Sequence, residues 1–315
     1  LSKVIPPQTV TILGTGAWGT VLAKLASRNA HWVQAWSHRR GDSLAFAIQN
    51  CDLVVSAISM KGVAELAHQL QAILLPPDVI LVSATKGLDP ATTQTPSQIW
   101  HAAFPQNPIV VLSGPNLSQE IAHELPAATV VASTDVAAAA TVQQVFASDR
   151  FRVYTNTDPL GTELGGTLKN VIAIAVGVCD GLQLGTNAKA ALITRALTEM
   201  IRIGTCLGAE AETFVGLSGL GDLLATCNSS LSRNYQVGYG LAQGKSLPLV
   251  LSEIRGTAEG VNTANVLVKL AHQQGIPIPI SYQVYLLLNN EITPRQAVEA
   301  LMERDLKSEL GFNLP

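Results

Sequence analysis

Apolar positions in the first half of the chain fall in short runs, at residues 10–13, 32–36, 51–58, 79–84, 109–113 and 128–132. Segments with helical spacing lie between them, as at Thr20, Leu22, Ala23 and Leu25. Strands that alternate with helices predict βαβ units and a parallel sheet up to about residue 156. Beyond Asp158 the strand signal fades, and long helical patterns cover residues 164–180, 188–207, 261–274 and 281–289. Pro277 and Pro279 mark a turn between two of these helices, and Pro294 opens the last one. The pattern predicts an α/β domain over residues 1–156, with a mostly parallel doubly wound sheet, and an all-α domain over residues 157–315. A chain of 315 residues suits two such units. No repeat of solenoid period is present.

The first run breaks into Gly14-Thr15-Gly16-Ala17-Trp18-Gly19 and continues as a helix. Gly14 permits the tight turn, Gly16 lets a pyrophosphate reach the main chain, and Gly19 lets the helix pack closely on the strand. Phosphate would then sit on the free N–H groups of the helix N-terminus. The motif can also be a plain strand-to-helix turn, but its position after a strand and before a helix favours dinucleotide binding. The second strand ends in Ser37-His38-Arg39-Arg40. An NAD-specific site usually carries an acidic residue here, for the ribose 2′-hydroxyl. Guanidinium groups suit a 2′-phosphate instead, so NADPH is expected to be accepted and preferred, unless both arginines are solvated loop charges.

Composition narrows the class. Hydrophobic residues make up 47% of the chain and charged ones 14%, which describes a compact enzyme with much buried helix or subunit surface. The net charge of −3 comes with no basic stripe, so nucleic acid is not an expected partner. The first seven residues lack a charged region followed by a signal-length apolar core, and export is not expected. The longest strongly apolar stretch, residues 171–179, is short of a membrane span. Cys51, Cys179, Cys206 and Cys227 form no CxxC pair and read as reduced thiols of a cytoplasmic protein. His31, His38, His68, His101, His123 and His272 show no metal-ligand spacing, so no metal is expected. Only His38, at the basic corner, is placed near a ligand.

Several strands end in polar or glycine corners: Ser59-Met60-Lys61-Gly62, Thr85-Lys86-Gly87 and Gly114-Pro115-Asn116. In an open α/β sheet these carboxyl ends line the ligand crevice. A nicotinamide enzyme must add a proton donor or acceptor, and lysine is the best candidate. Lys169 stands in Gly166-Thr167-Leu168-Lys169-Asn170, just before the most apolar helix of the chain. Burial and a neighbouring cation both lower a lysine pKa, and Lys86 is placed to be that cation. The plainer readings are a snorkelling lysine at 169 and a solvated one at 86. Asp222 follows the glycine-rich turn 216–221, where it can orient the lysine or a substrate hydroxyl, or cap the next helix, and the two roles are compatible. Ser232-Arg233-Asn234 sets a guanidinium beside an amide, a pair suited to a phosphoryl group.

Together these motifs resemble the bacterial-type NAD(P)-dependent glycerol-3-phosphate dehydrogenases along nearly the whole chain. Gly14 to Gly19, Lys86-Gly87, Ser113-Gly114-Pro115, the Lys169 stretch, Gly219 to Asp222, Ser232-Arg233-Asn234 and Glu259-Gly260-Val261 occur in the family's order. The resemblance implies reduction of dihydroxyacetone phosphate to sn-glycerol 3-phosphate with NADP(H) or NAD(H), for glycerophospholipid synthesis. It implies that Lys169 exchanges the proton at the C2 oxygen. Lys86, Asn170 and Asp222 would hold substrate oxygens, with Gly114 and Asn116 beside them, and Ser232, Arg233 and Asn234 the phosphate end. Gly14, Gly16, Ala17, Trp18, Gly19, His38, Arg39, Arg40, Lys86, Ser118, Arg233 and Glu259 would contact the dinucleotide. A homodimer is expected. Other readings are a ketopantoate or β-hydroxyacid reductase, and a regulator that binds NADPH without turnover. Two departures from the family stand out. The segment between Arg40 and Cys51 is short, which predicts one sheet strand fewer and a more open adenosine side. Asn116 replaces the usual small hydroxyl residue, which it can replace as a hydrogen-bond donor.

Overall fold

The structure, a computed structural model, describes residues 5–254 and 256–305. Residues 1–4, 255 and 306–315 lie outside the described residues, and with them the outer ends of both expected domains and part of the N-terminal segment read for export. Seven strands form one sheet: β1 (Thr9–Leu13), β2 (Trp32–Trp36), β3 (Leu53–Ser56), β4 (Ile80–Ser83), β5 (Ile109–Ser113), β6 (Ala127–Ala132) and β7 (Phe151–Asn156). Their order is β2-β1-β3-β4-β5-β6-β7. All neighbours are parallel except β5 and β6. The strand β7 is missing from the runs recognised in the sequence. Its buried Phe151 and Val153 alternate with exposed Arg152 and Tyr154, so it has the period of a half-covered strand and no continuous apolar run.

The helices of the first half are α1 (Ala17–Arg28), α2 (Leu44–Ala47), α3 (Val63–Gln71), α4 (Pro96–Ala103), α5 (Ser118–Ala122) and α6 (Val136–Phe146). Alternate strand residues feed two cores. Val10, Ile12, Leu53 and Val55 pack with Leu22, Leu25 and Phe146 on one face. Leu13, Val54 and Leu81 pack with Leu66, Leu70 and Trp100 on the other. The chain reverses direction across the sheet at β1, between β2 and β3, and this is where an open sheet forms its ligand crevice. The short linker after β2 holds a 3-10 turn at His38–Arg40 and the single-turn α2, and no strand. Thr11 on β1 donates to the Ala47 carbonyl at 2.6 Å, which ties that linker under the sheet.

After β7 the chain is helical: α7 (Pro159–Gly181), α8 (Thr186–Cys206), α9 (Asp222–Cys227), α10 (Arg233–Ala242), α11 (Leu247–Glu253), α12 (Glu259–Gln274), α13 (Pro279–Leu288) and α14 (Pro294–Met302). Pro159 occupies the first turn of α7, and the Asp158 carboxylate accepts from Gly161 N at 2.8 Å. By length and composition α7 alone among the described helices could cross a membrane, yet 83% of its apolar window is buried within the protein. It is the core helix, with one apolar cluster around Leu168, Ile172 and Met200 and another around Val171, Ile174 and Val237.

Two glycine contacts decide what α7 brings near the sheet. A Cβ on Gly166 would stand 2.3 Å from Ser113 Oγ and 3.1 Å from Lys86 Cε, so only glycine lets this turn approach the ends of β5 and β4. A Cβ on Gly238 would stand 1.9 Å from the Ile174 carbonyl, and one on Gly177 2.1 Å from that of Tyr235. α10 therefore crosses α7 at backbone contact. Glu163, one turn before Gly166, accepts from Ser83 Oγ at 2.9 Å and from Ser97 N at 3.0 Å. Burial raises its pKa, and these bonds hold α7 against β4 and the start of α4.

Candidate active site

The corner after β4 carries Lys86, and Gly87 N at that corner donates to Thr167 Oγ1 on α7 at 3.1 Å. Lys169 lies three residues beyond Gly166, on the face of α7 that Gly166 sets against Lys86 and Ser113. Between the two lysines sits Asp222, whose Oδ2 meets Lys86 Nζ at 2.5 Å and whose Oδ1 meets Lys169 Nζ at 2.9 Å. Lys169 also donates to Thr226 Oγ1, which is 3.3 Å from Asp222 Oδ1. Asp222 and Lys169 are buried, while the Lys86 side chain keeps 22% of its exposure and opens the cluster to the crevice. Burial lowers the Lys169 pKa from 10.5 to about 8, and the Lys86 ammonium lowers it as well, against the pull of Asp222. A snorkelling surface lysine at 169 is thereby excluded.

The glycine stretch before Asp222 is not a loop. Residues Leu217–Gly221 form one turn of π-helix that runs directly into α9. A Cβ on Gly219 would stand 2.0 Å from the Phe214 carbonyl, and one on Gly165 would stand 2.8 Å from that of Ser218. The glycines let this turn press against α7, and the widened turn aims Asp222 at the lysines. Asp222 makes no capping bond to α9, and its side chain is instead bound to both lysines. Thr226 escaped the sequence reading, although its spacing of four from Asp222 puts both on one helical face.

Asn170, Asn234 and Glu259 converge beside this cluster. Gly260 N donates to Asn234 Oδ1 at 3.0 Å, and a Cβ on Gly260 would stand 2.6 Å from the Asn170 carbonyl. Asn170 Nδ2 reaches the Gly166 carbonyl at 3.4 Å. The Ser232 hydroxyl caps α10 by accepting from Tyr235 N at 3.2 Å, a structural role the sequence reading did not assign it. Arg233 opens α10 and is exposed. Burial raises the Glu259 pKa, while a hydrogen bond from the Met60 backbone and the charge of Arg233 oppose the rise. Glu259 thus reaches from α12 to the corner after β3.

The ends of β1 and β5 complete the crevice. Gly14 has φ +112°, and its Cβ would stand 2.6 Å from the Ala57 carbonyl; a Cβ on Gly19 would stand 1.9 Å from that of Gly14. Gly16 has nothing within 4 Å. The fold thus accounts for Gly14 and Gly19 but not for Gly16. No side chain caps α1, so the N–H groups of its first turn, at Ala17, Trp18 and Gly19, are available to an anion. Beyond β5, Gly114 adopts φ +147° against Thr129. Asn116 Nδ2 donates to Thr129 Oγ1 at 3.0 Å, and its buried Oδ1 has no partner, as is true of Ser113 Oγ. The donor expected of Asn116 is thus turned toward Thr129, and the unpartnered atom is an acceptor. Ser118 begins α5 and is half-buried.

Among the described residues no group of His, Cys, Asp or Glu could hold a metal ion. At the basic corner Arg39 is exposed and makes no hydrogen bond or ion pair among the described residues, whereas Arg40 is bound to Asp42. The His38 ring lies 6.2 Å from that of Trp36.

Comparison with known proteins gives this geometry a family. The model of the NAD-dependent glycerol-3-phosphate dehydrogenase C-terminus matches residues 158–299, and that of the N-terminus matches residues 9–45 and 39–139. The chain belongs to this dehydrogenase family. A glycerol-3-phosphate dehydrogenase (NAD(P)+) of Acaryochloris marina is 67% identical over 300 residues, 95% of this chain and 97% of that one. The Trichormus variabilis protein of the same name is 65% identical over 301 residues, 96% of this chain and 98% of that one. The crystal structure of glycerol-3-phosphate dehydrogenase from Coxiella burnetii superposes with a TM-score of 0.91 at 32% identity, over 95% of this chain and 99% of that one. Relative to the glycerol-3-phosphate dehydrogenase model, the N-terminal match breaks at the corner after β2, where the short linker stands.

Proposed function

We propose that this chain is an oxidoreductase that interconverts dihydroxyacetone phosphate and sn-glycerol 3-phosphate with NADPH or NADH and so supplies glycerophospholipid synthesis. The observation that carries the reading is the buried Lys169, held by Asp222 opposite a second lysine at the mouth of the crevice. Residues 1–156 bind the dinucleotide, whose nicotinamide ring supplies or accepts a hydride when bound. Gly16 and the uncapped start of α1 fit its pyrophosphate. Arg39 and Arg40 lie at its adenosine end, with His38; Ala17, Trp18, Lys86, Ser118, Arg233 and Glu259 contact it elsewhere.

Residues 157–315 carry the proton chemistry. Lys169 Nζ gives a proton to the C2 oxygen during reduction and takes it back during oxidation. A pKa near 8 suits both directions, since each protonation state is accessible near neutral pH. Asp222 fixes the ammonium in place, and Lys86 stabilises negative charge that develops on the substrate oxygen. Arg233 and the start of α10, with Ser232 and Asn234, bind the phosphate, while Asn170, Gly114 and Asn116 line the triose. We further propose a homodimer in the cytoplasm. The four free cysteines, three of them buried, suit a reducing compartment.

The deciding assay is oxidation of NADPH and NADH with dihydroxyacetone phosphate, and with ketopantoate as the control. Turnover with the triose phosphate is expected, and turnover with ketopantoate alone overturns the assignment. A second experiment isolates the glycine turn. Gly16→Ala is expected to melt at the wild-type temperature, because a Cβ there meets nothing within 4 Å and φ is −72°. Its affinity for NADPH should fall by about tenfold or more, since a methyl group would then stand where the pyrophosphate approaches. Unchanged affinity would place the pyrophosphate elsewhere.

A further inference from the structure

The carboxylate of Asp42 stands beside the basic corner. Gly41, with φ +70°, turns the chain back after the 3-10 turn, so that Asp42 faces the residues it has just followed. Its Oδ2 accepts from Ser37 N at 3.1 Å, and its carbonyl accepts from Trp36 Nε1 at 2.8 Å. The same Oδ2 accepts from Arg40 Nε at 3.0 Å and pairs with Arg40 NH2 at 2.9 Å. NH2 also donates to the Ala35 carbonyl at 2.8 Å.

These contacts leave Arg40 without a phosphate-binding edge. A guanidinium grips phosphate with two neighbouring N–H groups, from either the Nε–NH2 edge or the NH1–NH2 edge. Asp42 occupies the first edge. The Ala35 carbonyl takes the remaining NH2 hydrogen and so removes half of the second. Arg39, exposed and without such contacts among the described residues, keeps its whole fork.

We infer that Asp42 sets the preference between NADPH and NADH by holding Arg40 away from the 2′-phosphate, so that Arg39 alone serves that group. The inference rests on the dinucleotide reading proposed above. It gives the corner a graded character. Arg40 and Asp42 are both partly exposed, with side-chain exposures of 55% and 36%, so their pair is weak and the restraint it places on Arg40 is modest. Asp42 also brings a negative charge near an incoming dianion. Both effects oppose NADPH and leave NADH, which lacks the 2′-phosphate, nearly untouched.

Fluorescence titration with NADPH and NADH tests this without any need for turnover. Asp42→Asn keeps an acceptor for Ser37 N and removes the charge, so the corner should fold as before. The NADPH-over-NADH affinity ratio is expected to rise about fivefold in this variant. Arg40→Ala alone should leave the ratio within about twofold, and adding it to Asp42→Asn should remove the part of the gain that the freed Arg40 supplies, leaving only the part due to the lost charge of Asp42. Arg39→Ala should lower the ratio about tenfold. Equal weakening of both dinucleotides by Asp42→Asn would make Asp42 a scaffold residue and overturn the inference. So would an Arg40→Ala loss as large as that of Arg39→Ala. Failure of the underlying reading looks different, because the wild-type protein would then bind neither dinucleotide.

Discussion

Lys169→Ala is expected to lower turnover of dihydroxyacetone phosphate by about 10²–10⁴-fold, the usual contribution of a positioned proton donor. The variant should still fold. Asp222 retains Lys86 at 2.5 Å, so no carboxylate is left buried without a partner. Dinucleotide affinity should stay close to wild type, because the glycine turn and the basic corner lie on other elements. In the wild-type enzyme the pH profile should also carry the signature of this lysine. With a native pKa of about 8, set by burial and by Lys86, the ammonium needed for ketone reduction is lost as pH rises through that value. The neutral amine needed for alcohol oxidation is gained over the same range, so the two directions should show opposite limbs. Both limbs disappear in the variant. Stopped-flow or steady-state absorbance at the reduced nicotinamide band measures this, and wild-type turnover by Lys169→Ala would remove the lysine from the chemistry.

What the sequence revealed of this site depended on how local each signal was. The turn from Gly14 to Gly19 was legible because strand, turn and helix are contiguous, and its glycines answer to steric needs within a few residues. Lys169 was legible because a charge next to the most apolar run of the chain requires a reason, although it lies within α7 and not before it. Lys86 followed from its place at a strand end. Asp222 was open between two roles, since the choice depends on a π-turn and on two lysines distant in sequence. Thr226 and Asp42 were missed for a related reason. Thr226 acts through Lys169, 57 residues away, and Asp42 through the turn at Gly41 that folds it back onto Ser37 and Arg40; a lone threonine or aspartate carries no spacing of its own. The antiparallel pairing of β5 and β6 and the strand β7 were hidden likewise, one because pairing direction leaves no mark in an apolar run, the other because half of β7 faces outward.

Asp222→Ala should produce the largest loss of stability among single changes in the cluster. Two ammonium groups lie within 2.9 Å of this one carboxylate, and the Lys169 side chain is buried, with 8% of its surface exposed. Breaking a buried ion pair by removing one partner typically costs about 3–5 kcal/mol, because the remaining charge is left uncompensated. Lys86 is partly exposed and can turn toward water, so the cost falls mainly on Lys169 and belongs near the lower figure. The variant also removes the influence that holds the Lys169 pKa up, so that pKa falls further below 8. The sign of the pH dependence follows. A lysine whose native pKa lies below its unfolded value of 10.5 destabilises the fold fully at low pH and progressively less as pH rises toward that unfolded value. The stability deficit of Asp222→Ala relative to wild type should therefore be large at about pH 7 and much smaller at about pH 10. Combining it with Lys169→Met removes the uncompensated charge altogether and should restore much of the lost stability at neutral pH, with no recovery of turnover. Urea unfolding of the two variants at both pH values measures each term. A deficit that is independent of pH, or that persists in the double variant, would mean that Asp222 acts through packing and not by holding the charge of Lys169.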